Sequence, residues 1–323
     1  VTGASKKVIN YAIGYANERK QFKTPISSFG AIQFKLAEMA TKTYVADAGN
    51  YRCGQNIEDN IKRLESEGLA LQDAKLQGVE EYAVECAILK VFSSEVIQYT
   101  SDEAVQIYGG MGFSAESEVE ACYRDARISR IYEGTNEINR LLIVKMILKK
   151  AVTGEIDFFG PAKNVAKELI SIPSFEEASN EIFSEFKVVL KNLKKIILMV
   201  LGTASEKLGI KIGEEQELMM NISDMIIDTY MLESALLKTE KLTSREGSIK
   251  NQERISMCIN FLHSTIDKFQ KNGKEAIYAL SEGDEQKILL LGLKRFTKVK
   301  PDNLKEHRRS IAKKLIEENL YCF

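Results

Sequence analysis

One glutamate lies at a break between two apolar helical segments, in the stretch RIYEGTNEINR. Glu133 follows Tyr132 and precedes the pair Gly134 and Thr135. Gly134 can end one helix, and Thr135 or Asn136 can cap the next. A carboxylate at so tight a corner can be aimed into a cleft, where partial desolvation raises the pKa of a carboxyl group toward that of a useful base. Taken alone, the same residues also fit an ordinary helical corner with a solvated acid.

Two other stretches carry residues that could bind a ligand, including one with a phosphate group. AVQIYGGMGF places the amide of Gln106 four residues before Gly110, and paired glycines let a ligand approach the backbone closely. ERKQF ends the first predicted helix and offers Arg19 as a phosphate clamp. Each stretch also has a simpler interpretation, which is a glycine helix cap for the first and a surface cation near a helix C-terminus for the second.

The composition of the chain argues against several other kinds of site. The 323 residues carry a formal net charge of −1, so no bulk field favours nucleic acid or an acidic membrane. Five cysteines without C-x-x-C spacing and two distant histidines argue against a disulfide framework, a zinc site or a histidine triad. The opening VTGAS resembles a nucleotide-binding turn, but no glycine fingerprint follows it, so a Rossmann fold is rejected.

Apolar residues at helical spacing, with only four prolines, predict an all-α fold without strands. A loop is expected at residues 65–73 and a short mixed segment at 117–127. The predicted helices are 4–21, 31–64, 74–99, 102–108 and 136–151, then 163–171, 175–202, 212–244, 248–272, 274–282 and 302–319. Two glycines and a proline in TGEIDFFGPA make residues 153–162 the predicted linker between domains 1–152 and 163–323.

The second half contains a segment that aligns with the first. LAEMATKTYVADA matches ISDMIIDTYMLESA, with Glu38 over Asp224 and a Thr-Tyr pair at the same place in both. This alignment predicts a degenerate copy of the first bundle that lacks YEGT and QIYGG. The segments KKIILMVLG and KEHRRSIAKK have the composition of membrane-surface helices, although a core helix and a solvated basic face are favoured.

In this order and at these spacings, the three motifs strongly resemble the C-terminal helical domain of acyl-CoA dehydrogenases, over about residues 3–151. The long helical region after them resembles the extension of the very-long-chain subfamily. The resemblance implies an up-down helical bundle followed by a second, degenerate bundle. It also implies that the chain is part of a longer protein, because the family's N-terminal helical and middle β domains are not in this sequence.

The resemblance implies a role for each motif. Glu133 would take the α-proton of an acyl-CoA and FAD the β-hydride, giving the trans-2-enoyl-CoA of fatty-acid β-oxidation. Tyr132 and Gly134 would border the acyl chain. Contacts with FAD held mainly by a neighbouring subunit are implied for Arg19, Phe22, Phe29, Gln106, Ile107, Tyr108, Gly109 and Gly110. Contacts with the chain's own FAD are implied for Thr135, Asn136 and Glu137.

A flavin shared between subunits implies a homodimer, and the family's usual electron acceptor is an electron-transferring flavoprotein. The expected location is the bacterial cytoplasm or the mitochondrial matrix, with association at a membrane surface as an alternative. This chain alone is expected to bind FAD poorly and not to turn over. Two alternatives stay open: a flavin-dependent oxidase of the acyl-CoA or nitroalkane type, and a helical assembly module without catalysis.

Overall fold

The computed structural model describes residues 1–171 and 183–323 and confirms the predicted all-α fold. A short hairpin, β1 (Lys20–Gln21) and β2 (Thr24–Pro25), and 3₁₀ turns at Ile26–Ser28, Gly209–Glu214 and Ile249–Asn251 complete the described elements. The helices are α1 (Thr2–Glu18), α2 (Gly30–Ser66), α3 (Leu71–Glu81), α4 (Ala83–Tyr108), α5 (Gly110–Phe113), α6 (Glu118–Ile128), α7 (Asn136–Thr153), α8 (Phe159–Leu169), α9 (Ser184–Leu208), α10 (Gln216–Glu246), α11 (Gln252–Leu280), α12 (Gly283–Phe296) and α13 (Leu304–Glu318).

The first compact unit comprises residues 1–136, 237–262 and 302–323. Its core forms where α1, α2 and α4 pack together through apolar residues at helical spacing. These helices therefore meet along their buried faces and fix the positions of the loops at their ends. Fully buried side chains of this core include Ile9, Ile13, Leu36, Met39, Tyr44 and Ile88.

Polar contacts connect the two late segments of the first unit, residues 237–262 and 302–323, to its earlier helices. Arg308 on α13 donates to Glu38 on α2 at 2.7 Å. Asp47 accepts hydrogen bonds from Lys6 and Lys238, each at 2.7 Å. Because both lysines pair with one buried carboxylate, helices α1, α2 and α10 are linked at a single point. The basic segment KEHRRSIAKK is therefore partly engaged in ion pairing within this unit.

The second compact unit comprises residues 137–236 and 263–301. Helix α9 buries Ile196 and Leu201 completely, which agrees with the core-helix interpretation of KKIILMVLG. Buried Asp228 pairs with Lys268 at 3.1 Å, and Arg140 pairs with Asp224 at 2.8 Å. Within the described residues, no helix is both long enough and apolar enough to cross a membrane.

The two compact units do not coincide with the two predicted domains, because the first unit also contains two late segments of the chain. Helix α7 ends at Thr153 and α8 begins at Phe159, so the non-helical residues 154–158 lie inside the predicted linker. The division into domains 1–152 and 163–323 stays a prediction. The part of predicted helix 175–202 before residue 183 lies outside the described residues.

Several predicted element limits were wrong. The loop expected at 65–73 is shorter, because α3 already begins at Leu71, and the mixed segment at 117–127 is helix α6. Helix α4 runs unbroken through residues 99–102, where the Thr100 hydroxyl bonds to the Ile97 carbonyl inside the helix. The hairpin of β1 and β2 was not predicted, since two-residue strands carry no alternation. Helix α12 was also missed.

Candidate functional site

The C-terminal ends of α1 and α4 lie together through two tyrosines. The rings of Tyr15 and Tyr108 stack at 4.0 Å between centroids, and the Tyr108 hydroxyl donates to the Tyr11 carbonyl at 3.3 Å. Burial raises the pKa of Tyr108 to about 12. The stack brings the ERKQF and QIYGG stretches to one place, called here the α1/α4 end cluster (residues 19–29 and 106–110).

The hairpin after α1 presents an aromatic ring to solvent. Phe22 and Lys23 form its two-residue turn with φ of 50° and 68°, the positive pair that a type I′ turn requires. Such values are uncommon for residues other than glycine. The turn leaves Phe22 89% exposed, with only an edge contact to Phe29 at 6.2 Å. An exposed aromatic ring at a defined turn is suited to stacking on a planar ligand.

Arg19 lies at the base of the same hairpin. Its backbone N–H donates to the Tyr15 carbonyl at 2.8 Å, and its own carbonyl accepts from Ile26 at 2.9 Å, so its backbone is fixed on both sides. The side chain is exposed. Among the residues that the structure describes, its guanidinium makes no ion pair. A fixed backbone with a solvent-facing guanidinium is suited to binding a phosphate.

The end of α4 is shaped by three glycines with different roles. Gly109 has φ of 62° and ends the helix, as a glycine cap does. Gly110 is helical, and a Cβ there would meet open space. The absence of a side chain at Gly110 therefore leaves its backbone accessible to a ligand. Gly112 was not singled out from the sequence, yet a Cβ there would lie 2.6 Å from the Val105 carbonyl oxygen.

The α4 residues expected to contact a cofactor differ in exposure. Gln106 is exposed, Ile107 is buried, and Tyr108 is half-buried against α1. At the C-terminal end of α4, Gln106 can therefore contact a ligand with its side chain. Ile107 and Tyr108 can contribute only backbone contacts or contacts through a ring edge. These assignments remain predictions.

The RIYEGTNEINR corner joins α6 to α7 through two left-handed residues. Glu133 has φ of 55° and Gly134 has φ of 81°. The Asn136 backbone N–H donates to the Arg130 carbonyl at 3.2 Å and closes the corner. Tyr132 and Glu133 are exposed, Thr135 is half-buried, and Glu137 is exposed. The corner thus presents its carboxylate outward, as a base that acts on a bound substrate must.

Helix α4 holds this corner by side-chain hydrogen bonds. Asn136 is only 1% exposed, and its amide bonds to Ser94 at 3.0 Å and to Glu95 at 3.2 Å. Lys90 donates to the Asn136 side-chain oxygen at 2.8 Å and to the Gly134 carbonyl at 2.6 Å. The Asn136 side chain is therefore committed to α4, which favours a positioning role over direct contact with a cofactor. Sequence reasoning did not single out these three α4 residues.

The α1/α4 end cluster and the corner lie at different places along α4. The corner is held near residues 90–95 and the cluster near residues 106–110, about 15 positions apart. At 1.5 Å per residue this separation is about 20 Å. The two groups of residues therefore do not line one small pocket, and they can serve different parts of an extended ligand or two separate ligands.

The cavity beside the corner is polar. It has a volume of about 530 Å³ and lies between α4 and α6. Two carboxylates and two guanidinium groups line it, so it does not fit an acyl chain. Among the described residues, no group of three or more metal-ligating side chains forms a metal site. The lining residues are Glu95, Gln98, Tyr99, Asp102, Tyr123, Arg127 and Arg130.

The comparison with known protein families agrees with the resemblance to acyl-CoA dehydrogenases that the sequence motifs indicate. A model described as acyl-CoA dehydrogenase, C-terminal domain matches residues 1–148, which include both the corner and the α1/α4 end cluster. A second model with the same description matches residues 192–295, inside the region predicted to be a degenerate copy. The chain belongs to the acyl-CoA dehydrogenase family.

Individual relatives match nearly the whole chain. A probable acyl-CoA dehydrogenase of Bacillus subtilis (strain 168) is 39% identical over 319 residues, which is 99% of this chain and 54% of that protein. The rat mitochondrial very long-chain specific acyl-CoA dehydrogenase is 28% identical over 322 residues, covering 94% of this chain and 45% of that protein. The chain thus spans about half the length of the curated relatives it matches.

A solved structure matches this chain along its whole length. It is a crystal structure of an acyl-CoA dehydrogenase from Bacillus anthracis, complexed with FAD. It is 40% identical, covers 100% of this chain and 55% of that one, and superposes with a TM-score of 0.95. The similarity extends through the helices after residue 153, as the resemblance to the very-long-chain subfamily implies.

Proposed function

We propose that this chain is the part of a flavin-dependent acyl-CoA dehydrogenase that carries the catalytic base. Glu133 accepts the α-proton of an acyl-CoA thioester, and the C2–C3 bond becomes the trans double bond of a 2-enoyl-CoA. The observation that carries this proposal is the outward-facing Glu133 at a corner fixed to α4 by Asn136. The family match across this corner supports the assignment.

FAD supplies the two-electron acceptor for the β-hydride when it is bound. The residues of the α1/α4 end cluster fit such a cofactor. The exposed Phe22 ring can stack on a planar group, and the exposed Arg19 can bind a phosphate. Gly110 leaves open space where a side chain would stand, so a ligand can approach the backbone.

The chain itself contributes the base and the groups that position the substrate around it. A thioester α-C–H is a far weaker acid than a carboxylic acid, so its carbonyl must be polarised while Glu133 takes the proton. The backbone N–H of Glu133 is the donor in this chain that we assign to the thioester oxygen. Tyr132 and Gly134 flank the base, and we assign them to the border of the acyl chain.

The direct test uses the complete flavoprotein that contains this chain. Acyl-CoA should reduce its flavin and yield enoyl-CoA, and Glu133→Gln should abolish flavin reduction while leaving FAD bound. Glutamine keeps the shape of the side chain but cannot accept the proton. If the Glu133→Gln protein reduces its flavin at the wild-type rate, the assignment of the base is wrong.

We further propose a homodimer in which the α1/α4 end cluster of one subunit contacts the FAD of the other. The separation of about 20 Å between cluster and corner along α4 supports two distinct ligand contacts. At limiting FAD, the Arg19→Met/Phe22→Ala protein should be inactive because it binds FAD weakly. Mixing it with the inactive Glu133→Gln protein should then restore activity, because each mixed dimer contains one intact site. An absence of restored activity in confirmed mixed dimers would contradict this arrangement.

The electron acceptor that we assign is an electron-transferring flavoprotein. Reoxidation of the reduced complete enzyme should be fast with that protein and slow with dissolved oxygen. Fast reoxidation by oxygen alone would instead favour an acyl-CoA oxidase on the same helical framework. A protein that neither binds FAD nor oxidises acyl-CoA would favour the assembly-module alternative.

A further inference from the structure

Lys90 on α4 contacts the corner at two points, and the proposed reaction assigns it no role. Its ammonium group donates to the Gly134 carbonyl at 2.6 Å and to the Asn136 side-chain oxygen at 2.8 Å. Hydrogen bonds from an ammonium group are roughly twice as strong as those between neutral groups. Lys90 therefore binds both the backbone that follows Glu133 and the buried anchor of the corner.

The corner has a conformation that needs such support. Glu133 and Gly134 are consecutive residues with φ of 55° and 81°, and a left-handed conformation is costly for a glutamate. The Gly134 carbonyl is the first acceptor after the glutamate, so fixing it limits where the carboxylate can point.

The two contacts of Lys90 are not equivalent. Asn136 keeps its bonds to Ser94 and Glu95 when Lys90 is replaced, so the start of α7 stays attached to α4. The Gly134 carbonyl loses a charged donor. Loss of Lys90 should therefore loosen the glutamate without detaching the corner.

We infer that Lys90 is a positioning residue for Glu133, which sets the direction of the base through the Gly134 carbonyl. This inference rests on the proposed function. It predicts an effect on the proton-transfer step and not on the affinity for substrate or FAD. A displacement of about 1 Å in a reacting group can lower a rate by about 100-fold.

The test is Lys90→Met in the complete flavoprotein, because methionine keeps much of the apolar stem and removes the donor. The rate of flavin reduction at saturating acyl-CoA should fall about 10- to 100-fold. FAD content and the dissociation constant of acyl-CoA should stay at wild-type values. Lys90→Arg, which keeps a cationic donor, should recover part of the lost rate. Lys62→Met is the matched control, since that α2 lysine is 64% exposed and pairs only at the surface with Glu58.

A second readout does not depend on turnover. The amide hydrogen of Asn136, which closes the corner onto Arg130, should exchange faster with deuterium in Lys90→Met than in wild type. Amides of the hairpin formed by β1 and β2 should exchange unchanged. If Lys90→Met unfolds, Lys90→Gln takes its place in both measurements.

The outcomes separate the two proposals. If wild type fails to oxidise acyl-CoA, or Glu133→Gln stays active, the proposed function itself fails. If wild type is active, Glu133→Gln is inactive and Lys90→Met reduces its flavin at the wild-type rate, only the role of Lys90 is overturned. A fall in FAD content or substrate affinity without a fall in the rate of flavin reduction also overturns it.

Discussion

Two corners of the first compact unit hold non-glycine residues in left-handed conformations, and they are stabilised in different ways. The hairpin turn at Phe22 and Lys23 is closed by backbone pairing between β1 and β2. The corner at Glu133 has one closing backbone bond, from Asn136 to Arg130, and is held in addition by side-chain contacts with α4 through Lys90 and Ser94. A locally specified turn can present an aromatic ring for binding. A catalytic carboxylate needs a fixed direction, and tertiary contacts provide it.

The largest predicted effect is on the rate of flavin reduction when the side chain of Glu133 is shortened. Glu133→Asp removes one methylene and moves the carboxylate by about 1.5 Å. In the complete flavoprotein, flavin reduction by saturating acyl-CoA should slow about 100-fold, since reacting groups tolerate little displacement. Stopped-flow absorbance of the flavin measures this rate. A Glu133→Asp protein as fast as wild type would show that the direction of this carboxylate is not controlled.

Removal of the buried anchor should have the next largest effect. Asn136→Ala leaves the polar groups of Ser94 and Glu95 without their amide partner and should lower the free energy of unfolding by about 2 kcal/mol. Urea unfolding followed by circular dichroism measures it. Gln55→Ala, which removes an exposed amide that bonds to the exposed Asp59, should change stability by less than about 0.5 kcal/mol. Equal effects from both variants would mean that the corner is not held by Asn136.

A change in the hairpin should alter the affinity for FAD and not the rate of flavin reduction. Phe22→Ala removes the exposed ring and should weaken FAD affinity of the complete protein about 10-fold, the scale of one aromatic stacking contact. Flavin reduction should be unchanged once FAD is saturating. Fluorescence titration of the apoprotein with FAD checks this, with the exposed Tyr51→Ala on α2 as control. A slower reduction step with unchanged affinity would reverse the assignment of the two corners.

The smallest predicted effects are on stability, and they test the left-handed backbone conformations of Lys23 and Gly134. Lys23→Gly relieves a left-handed lysine at φ of 68° and should stabilise the chain by about 0.5 kcal/mol, because the relief slightly exceeds the entropy cost of glycine. Gly134→Ala, at φ of 81°, should destabilise it by about 1 kcal/mol. Urea midpoints of the two variants should therefore move in opposite directions. Midpoints that move together would contradict the left-handed turn at Lys23.

The sequence allowed the helical class and the two motif-bearing ends to be predicted, because both depend on local patterns. Apolar spacing located α1 and α2 closely, and a Gly-Thr pair beside a glutamate marked the corner. The resemblance of three motifs in order then identified a family that the comparisons confirm. Local signals were sufficient for the long amphipathic helices and for the corner, but not for the short hairpin of β1 and β2 or for helix α6.

Features that depend on distant contacts were missed. Lys90 lies in the middle of a helix and bonds to a backbone carbonyl and an amide, partners that leave no pattern in its own surroundings. Helix α12 contains Gly292, which weakens its helical signal. The structure explains that glycine, because a Cβ there would lie 2.4 Å from Leu169 on α8. The packing of α8 therefore leaves little room for a side chain at this position unless Leu169 moves.

The most direct test of the central claim isolates proton removal by Glu133 from hydride transfer. An acyl-CoA analogue with sulfur in place of the β-carbon has no β-hydrogen to donate, so only α-proton exchange can occur. Mass spectrometry of this analogue after incubation in D₂O with the complete flavoprotein measures that exchange. We expect rapid deuterium incorporation at the α-carbon with wild type and none above background with Glu133→Gln that retains FAD. Incorporation at the wild-type rate by the Glu133→Gln protein would contradict it.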